Sequence, residues 1–341
     1  MSYLCRNCFQ DSEIIGFIIS KSYSGNCSFC GSENIECVSF EDLFEFFFEL
    51  SENFKIDLNG KPLVELIQDK WNFFSKTEIG IRILNSYLTY TQSSIANAME
   101  LVNFSDEILD NVNYWDILRK TLIEKNRYIT DVKYLREDLK WETLLGSKYL
   151  LDRHQKLYRA RLHANKDEKA FSKKKMYSPP KENSTAGRAN PSGIPYLYLC
   201  DNDETVLYEI RSFFLDEVSI GTFLLSKDIK ENVYINDFTE IPSIYKEGEE
   251  IQNAIITTLL KEKISLELSK PLRRYDSELE YIPTQFICEF IKEFTEVKGI
   301  KFKSSLHDKG NNIVIFEQDV LDCIKVNKVK VSNVEIKSDN Y

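Results

Sequence analysis

Between residues 41 and 155, apolar positions recur with a helical period. Five of them follow the i, i+3, i+4 spacing that places apolar side chains on one face of an α-helix. They are Leu63, Leu66, Ile67, Trp71 and Phe74. Similar patterns occupy residues 42–54, 81–88, 95–102, 115–125 and 135–150. Ser94 and the pair Ser105-Asp106 are candidate N-caps, because their side-chain oxygens can accept from the free amides of a first helical turn. The pattern predicts a helical domain.

From about residue 156 the pattern changes to short apolar runs of strand length, bounded by Gly, Asp and Asn. These runs cover residues 196–200, 220–225, 233–235, 300–302 and 313–316. A helical pattern remains at 284–294, where Phe286, Phe290 and Phe294 share one apolar face. The polar stretch 163–186 contains Lys173–Lys175 and two adjacent prolines, and it is predicted to be a solvated loop. The chain is therefore expected to be α+β, with a mixed α/β C-terminal domain.

Two C-x-x-C pairs stand near the start of the chain. Cys5 and Cys8 precede Cys27 and Cys30 by 18 intervening residues, a spacing typical of four-cysteine zinc sites. Four thiolates suit the tetrahedral coordination of Zn²⁺ and leave no open position for water. The sequence thus predicts a structural zinc ribbon at 1–40. The other four cysteines stand in apolar surroundings typical of buried free thiols; they are Cys37, Cys200, Cys288 and Cys323.

Charge and composition exclude several functions. The formal net charge is −10, which argues against general nucleic-acid binding, because phosphate contacts need clustered basic residues. No apolar stretch reaches the length of a membrane span, and no signal-like segment opens the chain. We therefore expect a cytoplasmic protein.

Histidine is scarce, and this narrows the chemistry further. The three histidines are His154, His163 and His307, so the helical region lacks the residue most often used as a general base. No H-E-x-x-H site, G-x-S-x-G elbow or P-loop occurs. Any active site must therefore rely mainly on Arg, Glu, Tyr and Ser.

One segment combines these residue types. A Gly- and Pro-rich turn carries Arg188, an apolar strand carries Tyr198, and a following helix carries Glu209 next to its apolar face. A partly buried carboxylate needs a partner, and the nearest arginines in sequence are Arg188 and Arg211. Each residue alone also fits a structural role, as a turn residue, a core residue or an ion-pair partner.

The order and spacing of these residues resemble the signature of the RES family, named for Arg, Glu and Ser. Residues 187–198 fit its pattern G-R-x-N-x-x-G-x-P-x-L-Y, and Glu209 follows Tyr198 by eleven residues. The segments 157–161, 281–285, 299–305 and 312–316 resemble its other motifs. Phe302 stands where the family pattern has Tyr. The N-terminal cysteines and helices resemble an extension that precedes RES in some bacterial proteins, grouped with HEPN-like helical domains.

The resemblance implies a fold similar to that of ADP-ribosyltransferases and an enzyme that consumes NAD⁺ as a toxin. It implies that Arg159 and Arg188 hold the phosphate and ribose side, and that Tyr198 packs the nicotinamide end. Glu209 would act on the ribose, and Ser304 would hydrogen-bond the ligand. Ser305 competes with Ser304 for the last role. A fixed carboxylate is suited to this reaction, because cleavage of the glycosidic bond builds positive charge on the ribose.

The expected activity is cleavage of the nicotinamide–ribose bond by phosphate or by water, in a toxin–antitoxin or anti-phage setting. Two alternatives stay open: an ADP-ribosyltransferase that modifies a macromolecule, and a zinc-ribbon regulatory module with an inactive RES scaffold. A cognate antitoxin or inhibitor and a second copy of the chain are further candidate partners. The division expected is a zinc ribbon at 1–40, a helical domain at 41–155, a catalytic domain at 156–318 and an extension at 319–341.

Overall fold

The computed structural model describes residues 2–21, 23–165, 168–246, 250–271 and 278–334. The chain divides into two compact units. The first comprises Met1–Trp115 with Ile241–Leu260, and the second comprises Asp116–Glu240 with Lys261–Tyr341. In the described part of the chain, no helix has the length and apolar character needed to cross a membrane.

The first unit opens with a small antiparallel sheet that carries the cysteines. Its strands are β1 (Tyr3–Cys5), β2 (Tyr23–Gly25) and β3 (Ile35–Ser39), with β3 in the centre. Helix α1 (Ser12–Ser20) follows β1 in sequence. Asp11 caps α1, because its Oδ1 accepts from the backbone amides of Glu13 at 3.0 Å and Ile14 at 3.2 Å.

The rest of this unit is helical, with one strand pair. Its further elements are α2 (Phe44–Glu52), β4 (Phe54–Pro62), α3 (Leu63–Trp71), α4 (Thr77–Thr91), β5 (Leu101–Phe104) and α5 (Asp106–Glu124), the last of which continues into the second unit. Tyr87 fixes α4 to its neighbours: its ring stacks on Phe40 and Phe47 at centroid distances of 3.9 and 4.1 Å. Its hydroxyl donates to the Phe40 carbonyl at 2.6 Å, so the buried polar atom is satisfied.

Two details of the predicted helical region are wrong. Residues 95–102, predicted as a helix capped by Ser94, form turns and the start of β5, which pairs antiparallel with β4. Asn97 explains the turn, because its side-chain oxygen accepts from the Met99 amide. The predicted helix at 135–150 is divided into a short π-helical turn, Tyr134–Asp138, the helix α6 (Trp141–Leu144) and the strand β6 (Tyr149–Leu150).

The second unit is built on a mixed eight-stranded sheet. Its remaining strands are β7 (Leu157–Leu162), β8 (Leu197–Cys200), β9 (Glu217–Leu225), β10 (Tyr234–Asp237), β11 (Gly299–Lys303), β12 (Asn311–Ile315) and β13 (Leu321–Lys330). The strand order is β13-β9-β7-β8-β12-β11-β10-β6; β10 and β11 pair in parallel, and the other neighbouring strands in this order pair antiparallel. The helices are α7 (Thr205–Glu209), α8 (Ile251–Ser269), which begins in the first unit, and α9 (Ile282–Phe294).

The expected fold class agrees with this architecture: a four-cysteine cluster, a largely helical middle and a C-terminal mixed α/β region. The loop predicted at 163–186 contains two 3₁₀ turns, Lys173–Met176 and Lys181–Asn183, while 166–167 lie outside the described residues. Within the proposed extension at 319–341, β13 pairs with β9, and 335–341 lie outside the described residues. The four domain boundaries remain a proposal.

Candidate functional site

A cleft of about 340 Å³ lies in the second unit where the sheet opens between β7 and β8. These strands form one residue pair, Tyr158 with Cys200, whereas β7 and β9 pair over six residues. Tyr158, Arg159, Ala160, Tyr198 and Leu199 all line the cleft. The gap in the ladder therefore creates the cleft.

A row of side chains crosses four adjacent strands at this opening. Cys200 on β8 lies opposite Tyr158 on β7 and Asn312 on β12, and Asn312 lies opposite Phe302 on β11. Residues directly opposite one another in antiparallel strands point to the same face, and all four line the cleft. Burial, with the neighbouring Glu209 carboxylate, raises the pKa of the Cys200 thiol.

The turn that precedes β8 is held by a buried hydrogen-bond network. The Tyr198 hydroxyl donates to Asn190 Oδ1 at 2.7 Å and accepts from the Ala189 amide at 3.0 Å. The Gln285 side chain on α9 donates to the carbonyls of Gly187 at 2.8 Å and Asn190 at 3.1 Å. A Cβ at Gly187 would lie 2.6 Å from the Tyr198 hydroxyl, so this position requires glycine.

Arg188 projects from this braced turn into the lining of the cleft. Its Nη1 donates to the Glu267 carbonyl at 2.8 Å, and its guanidinium lies 5.3 Å from the centre of the Tyr281 ring. Burial lowers the pKa of Arg188, while Tyr281, Glu267 and Glu209 act in the opposite direction. The cation is therefore partly desolvated and lies within electrostatic reach of Glu209.

Glu209, the last residue of α7, is fixed from two sides. Its Oε1 accepts from Ser304 Oγ at 2.6 Å and from Asn312 Nδ2 at 2.9 Å. The sequence offered Arg188 and Arg211 as the nearest arginine partners for this carboxylate. Among the described residues, its two hydrogen bonds come instead from a serine and an asparagine. Both bonds reach the same oxygen, which leaves Oε2 without a hydrogen bond among the residues that the structure describes. Glu209 lines the cleft.

Arg159 occupies the gap between β7 and β8. Its Nη1 donates to the Tyr198 carbonyl at 3.3 Å. Its Nε is buried and, in the described part of the chain, has no hydrogen-bond partner. Burial, together with Arg161, lowers the pKa of Arg159 to about 10, so it stays charged at neutral pH. A buried guanidinium with an unused donor is suited to an anionic ligand.

The structure brings four of the predicted site residues to this cleft: Arg159, Arg188, Tyr198 and Glu209. Ser304 Oγ donates a hydrogen bond to Glu209 and accepts from the backbone amides of Leu306 and His307. Its neighbour Ser305 lines the cleft. Sequence reasoning assigned no role to Asn312 or Tyr281, although both lie in the segments that resemble the family.

His307, in the loop between β11 and β12, packs against α7. Its ring stacks on Tyr208 with centroids 4.7 Å apart, and its Nδ1 lies 2.8 Å from Thr205 Oγ1. The loop that carries Ser304 is therefore anchored to the helix that carries Glu209. Gly310 allows this close approach, because a Cβ there would lie 1.9 Å from Thr205 Oγ1.

A second polar cluster has the contacts of a hydrolytic triad, but its serine is not accessible to a substrate. His163 Nε2 lies 2.8 Å from Ser219 Oγ, and His163 Nδ1 lies 3.2 Å from Glu168 Oε2. Ser219 is 0% exposed and also accepts from the Phe171 amide at 3.0 Å. A nucleophile must reach its substrate, so this cluster ties a loop to β9.

In the first unit, the four cysteines of the two C-x-x-C pairs converge. The Sγ atoms of Cys5, Cys8, Cys27 and Cys30 all lie within 4.8 Å of one another. Zinc–sulfur bonds of about 2.3 Å in a tetrahedron place sulfurs about 3.8 Å apart, and the Cys5–Cys8 distance is 3.9 Å. The amides of Phe29 and Cys30 point at Cys27 Sγ, and Gly31, directly after Cys30, has a left-handed φ of 77°. The cluster could bind a metal ion.

The comparisons with known proteins agree with the motif. The family model for the RES domain matches residues 156–336, more than half of the chain. No curated protein and no solved structure shows significant similarity to this chain. On the strength of this match, the chain belongs to the RES domain family.

Proposed function

We propose that the RES domain binds NAD⁺ in the cleft between β7 and β8 and cleaves its nicotinamide–ribose bond. Membership in the family supports a toxin-like, NAD-related function at the family level. The observation that carries the finer proposal is the fixed Glu209 carboxylate in a cleft also lined by two arginines, Arg159 and Arg188.

The two arginines are proposed to hold the diphosphate and the ribose beside it. Arg188 keeps donors beyond the one used on the Glu267 carbonyl, and Arg159 lines the same cleft. Guanidinium groups bind phosphate oxygens through paired hydrogen bonds and stay charged at neutral pH. The Tyr198 ring, whose hydroxyl is occupied by the turn, is proposed to pack against the nicotinamide end.

Glu209 is proposed to stabilise the ribose as the bond breaks. The C1′–N bond cleaves with its electron pair moving to the pyridine nitrogen, so nicotinamide leaves neutral and needs no acid. Positive charge then develops on C1′ and the ring oxygen, and a preorganised carboxylate lowers the energy of that state. Attack by water gives ADP-ribose and a proton. Attack by phosphate gives the 1″-phosphate of ADP-ribose.

The proposed setting is a toxin–antitoxin or anti-phage system, in which a cognate antitoxin or inhibitor holds the activity in check. Loss of NAD⁺ would arrest a cell whichever nucleophile is used. The competing activity, transfer of ADP-ribose to a macromolecule, would use the same cleft and the same carboxylate.

The test is NAD⁺ turnover by the purified full chain, with and without inorganic phosphate, with products identified by mass. We expect free nicotinamide without any macromolecular acceptor. ADP-ribose in phosphate-free buffer would identify a glycohydrolase, and a phosphorylated product that requires phosphate would identify a phosphorylase. Nicotinamide release only after an acceptor is added would favour the transferase, and intact NAD⁺ under every condition would contradict the proposal.

We propose Zn²⁺ as the ion of the four-cysteine cluster. Thiolate ligands favour zinc over magnesium or calcium. Four cysteine ligands leave no position for a substrate or water, so the proposed role is structural.

A further inference from the structure

A second cavity, of about 380 Å³, lies in the second unit on the side of α9. Its apolar lining comprises Val132, Ile194, Tyr196, Phe286, Phe290 and Phe294. Cavities lined mainly by aromatic and aliphatic side chains bind apolar groups. None of the contacts proposed for NAD⁺ uses this cavity.

The polar lining of this cavity is mainly acidic. Glu289 and Glu293 lie on its wall and are solvent-exposed. The one basic lining residue, Lys292, is directed at the Tyr196 ring, 5.4 Å from its centre. Among the described residues, neither glutamate forms a salt bridge. The cavity therefore presents an apolar interior edged by two glutamates, with Lys292 within electrostatic reach of Glu289, and this excess of acidic groups suits a hydrophobic group flanked by cations.

The second unit also carries a loop whose exposed apolar side chains are complementary to this apolar cavity. Between α5 and the π-helical turn, Tyr128 is 96% exposed and Ile129 is 83% exposed. Two large, mostly apolar side chains standing almost fully in water at adjacent positions make this loop a candidate interaction site. We call residues 125–130 the knob.

The charge of the knob is opposite to that of the cavity. Lys125 and Arg127 flank Tyr128, both are exposed, and residues 125–130 contain no acidic residue. Within the described chain, neither basic residue forms a salt bridge. Because Tyr128 is almost fully exposed, the knob does not occupy the cavity of its own chain.

We infer that the knob of one copy inserts into the α9 cavity of a second copy, and that the exchange is reciprocal. Val132, three residues beyond Ile129, lines the cavity, so knob and cavity belong to one continuous surface. A surface that carries both complementary features can pair with itself about a two-fold axis, and each contact then occurs twice. Tyr128 and Ile129 enter the apolar interior, while Lys125 and Arg127 meet Glu289 and Glu293.

The size of the contact predicts a weak dimer. Each buried tyrosine removes about 150–250 Å² from water, and the cavity walls lose a comparable area. The two tyrosine insertions therefore bury about 600–1,000 Å² in total, which lies below the range of about 1,200–2,000 Å² typical of stable interfaces. We expect a monomer–dimer equilibrium rather than an obligate dimer.

Analytical ultracentrifugation of the full chain tests the proposed dimer. The protein concentration is varied over about 1 μM to 1 mM, the range in which an interface of this size dissociates. The wild type is expected to dimerise, and Tyr128→Ser with Ile129→Ser is expected to remain monomeric. The matched control is Leu58→Ser, which removes an 86%-exposed apolar side chain from β4. A monomeric wild type throughout this range, or a knob variant that dimerises like the wild type, would overturn the proposal.

Charge reversal identifies the surfaces that meet. Lys125→Glu with Arg127→Glu should abolish dimerisation, and so should Glu289→Lys with Glu293→Lys. The chain that carries all four changes should regain it, because the opposite charges face one another again. Since every substituted side chain is exposed, the single sets should fold normally, as circular dichroism will report. Failure of the combined variant to recover would show that these two surfaces do not meet.

Discussion

Ser304 Oγ donates a 2.6 Å hydrogen bond to Glu209 Oε1, although 95 residues separate the two in sequence. The serine itself is fixed, since its oxygen accepts from the amides of Leu306 and His307. Its proposed role is therefore to position the carboxylate.

Ser304→Ala is expected to lower kcat for NAD⁺ cleavage about 10–100-fold, the equivalent of a hydrogen bond to a charged group. The Kd for NAD⁺, from titration calorimetry, should change little, because the Ser304 hydroxyl is used on Glu209. Ser304→Thr keeps the hydroxyl and should recover part of the rate. Ser305→Ala is the matched control, since Ser305 lines the cleft without bonding Glu209; a larger loss of kcat there would reverse the assignment.

Glu209→Gln keeps the size of the side chain and removes its charge. If the carboxylate stabilises the charged ribose, kcat should fall about 10²–10³-fold while NAD⁺ still binds. Rates of nicotinamide release and calorimetric Kd values separate the two effects. Glu204→Gln, at the N-cap position just before α7, serves as the control. Near-normal turnover by Glu209→Gln would remove this residue from the mechanism.

Local patterns predicted the parts of the fold that depend on local spacing. The Cys5 and Cys8 pair meets Cys27 and Cys30 because each C-x-x-C turn presents two thiols by itself. The apolar face at 284–294 lies on α9, since a 3.6-residue period specifies a helix wherever one face is buried. The short apolar runs of the C-terminal half became strands for a similar reason.

Contacts between distant segments were not accessible from the sequence. The start of β5 fell within the helix predicted at 95–102, because the pairing of β5 with β4 depends on a partner 39 to 50 residues away. The role of Asn312 depends on strand register, which places it opposite Cys200 and beside Glu209. The choice between Ser304 and Ser305 likewise depends on which hydroxyl faces α7.

Gly187→Ala tests the turn that presents Arg188. The added Cβ would lie 2.6 Å from the Tyr198 hydroxyl and 2.8 Å from Asn190 Oδ1, so the network must shift. We expect a loss of about 1–3 kcal/mol in unfolding free energy, as for other overpacked sites, and weaker NAD⁺ binding. Gly16→Ala is the control, because a Cβ there meets no atom within 4 Å. Unchanged stability and binding in Gly187→Ala would contradict the proposed rigidity of the turn.

Elemental analysis of the purified protein should find one zinc per chain. Cys27→Ser should lose the metal and lower the melting temperature, because the N-terminal sheet is small and depends on its ligands. Cys37→Ala removes a buried thiol from the same sheet and should retain the zinc. Metal-free wild-type protein with the same melting temperature would rule out a structural ion.

Arg159→Met separates a binding role from a structural one. The Arg159 Nε is buried and, among the described residues, has no hydrogen-bond partner, which is unfavourable for a cation that burial already destabilises. Methionine has a similar reach and no charge, so it should leave the unfolding free energy unchanged or raise it by about 1 kcal/mol. NAD⁺ affinity should fall at least tenfold, as expected when a charged partner of a phosphate is lost.

Stability is measured by denaturant unfolding and affinity by calorimetry. Arg161→Met, two residues along β7 with its guanidinium on the Lys175 carbonyl, controls for loss of a nearby positive charge. A large loss of stability in Arg159→Met with unchanged affinity would show that Arg159 supports the sheet rather than the ligand.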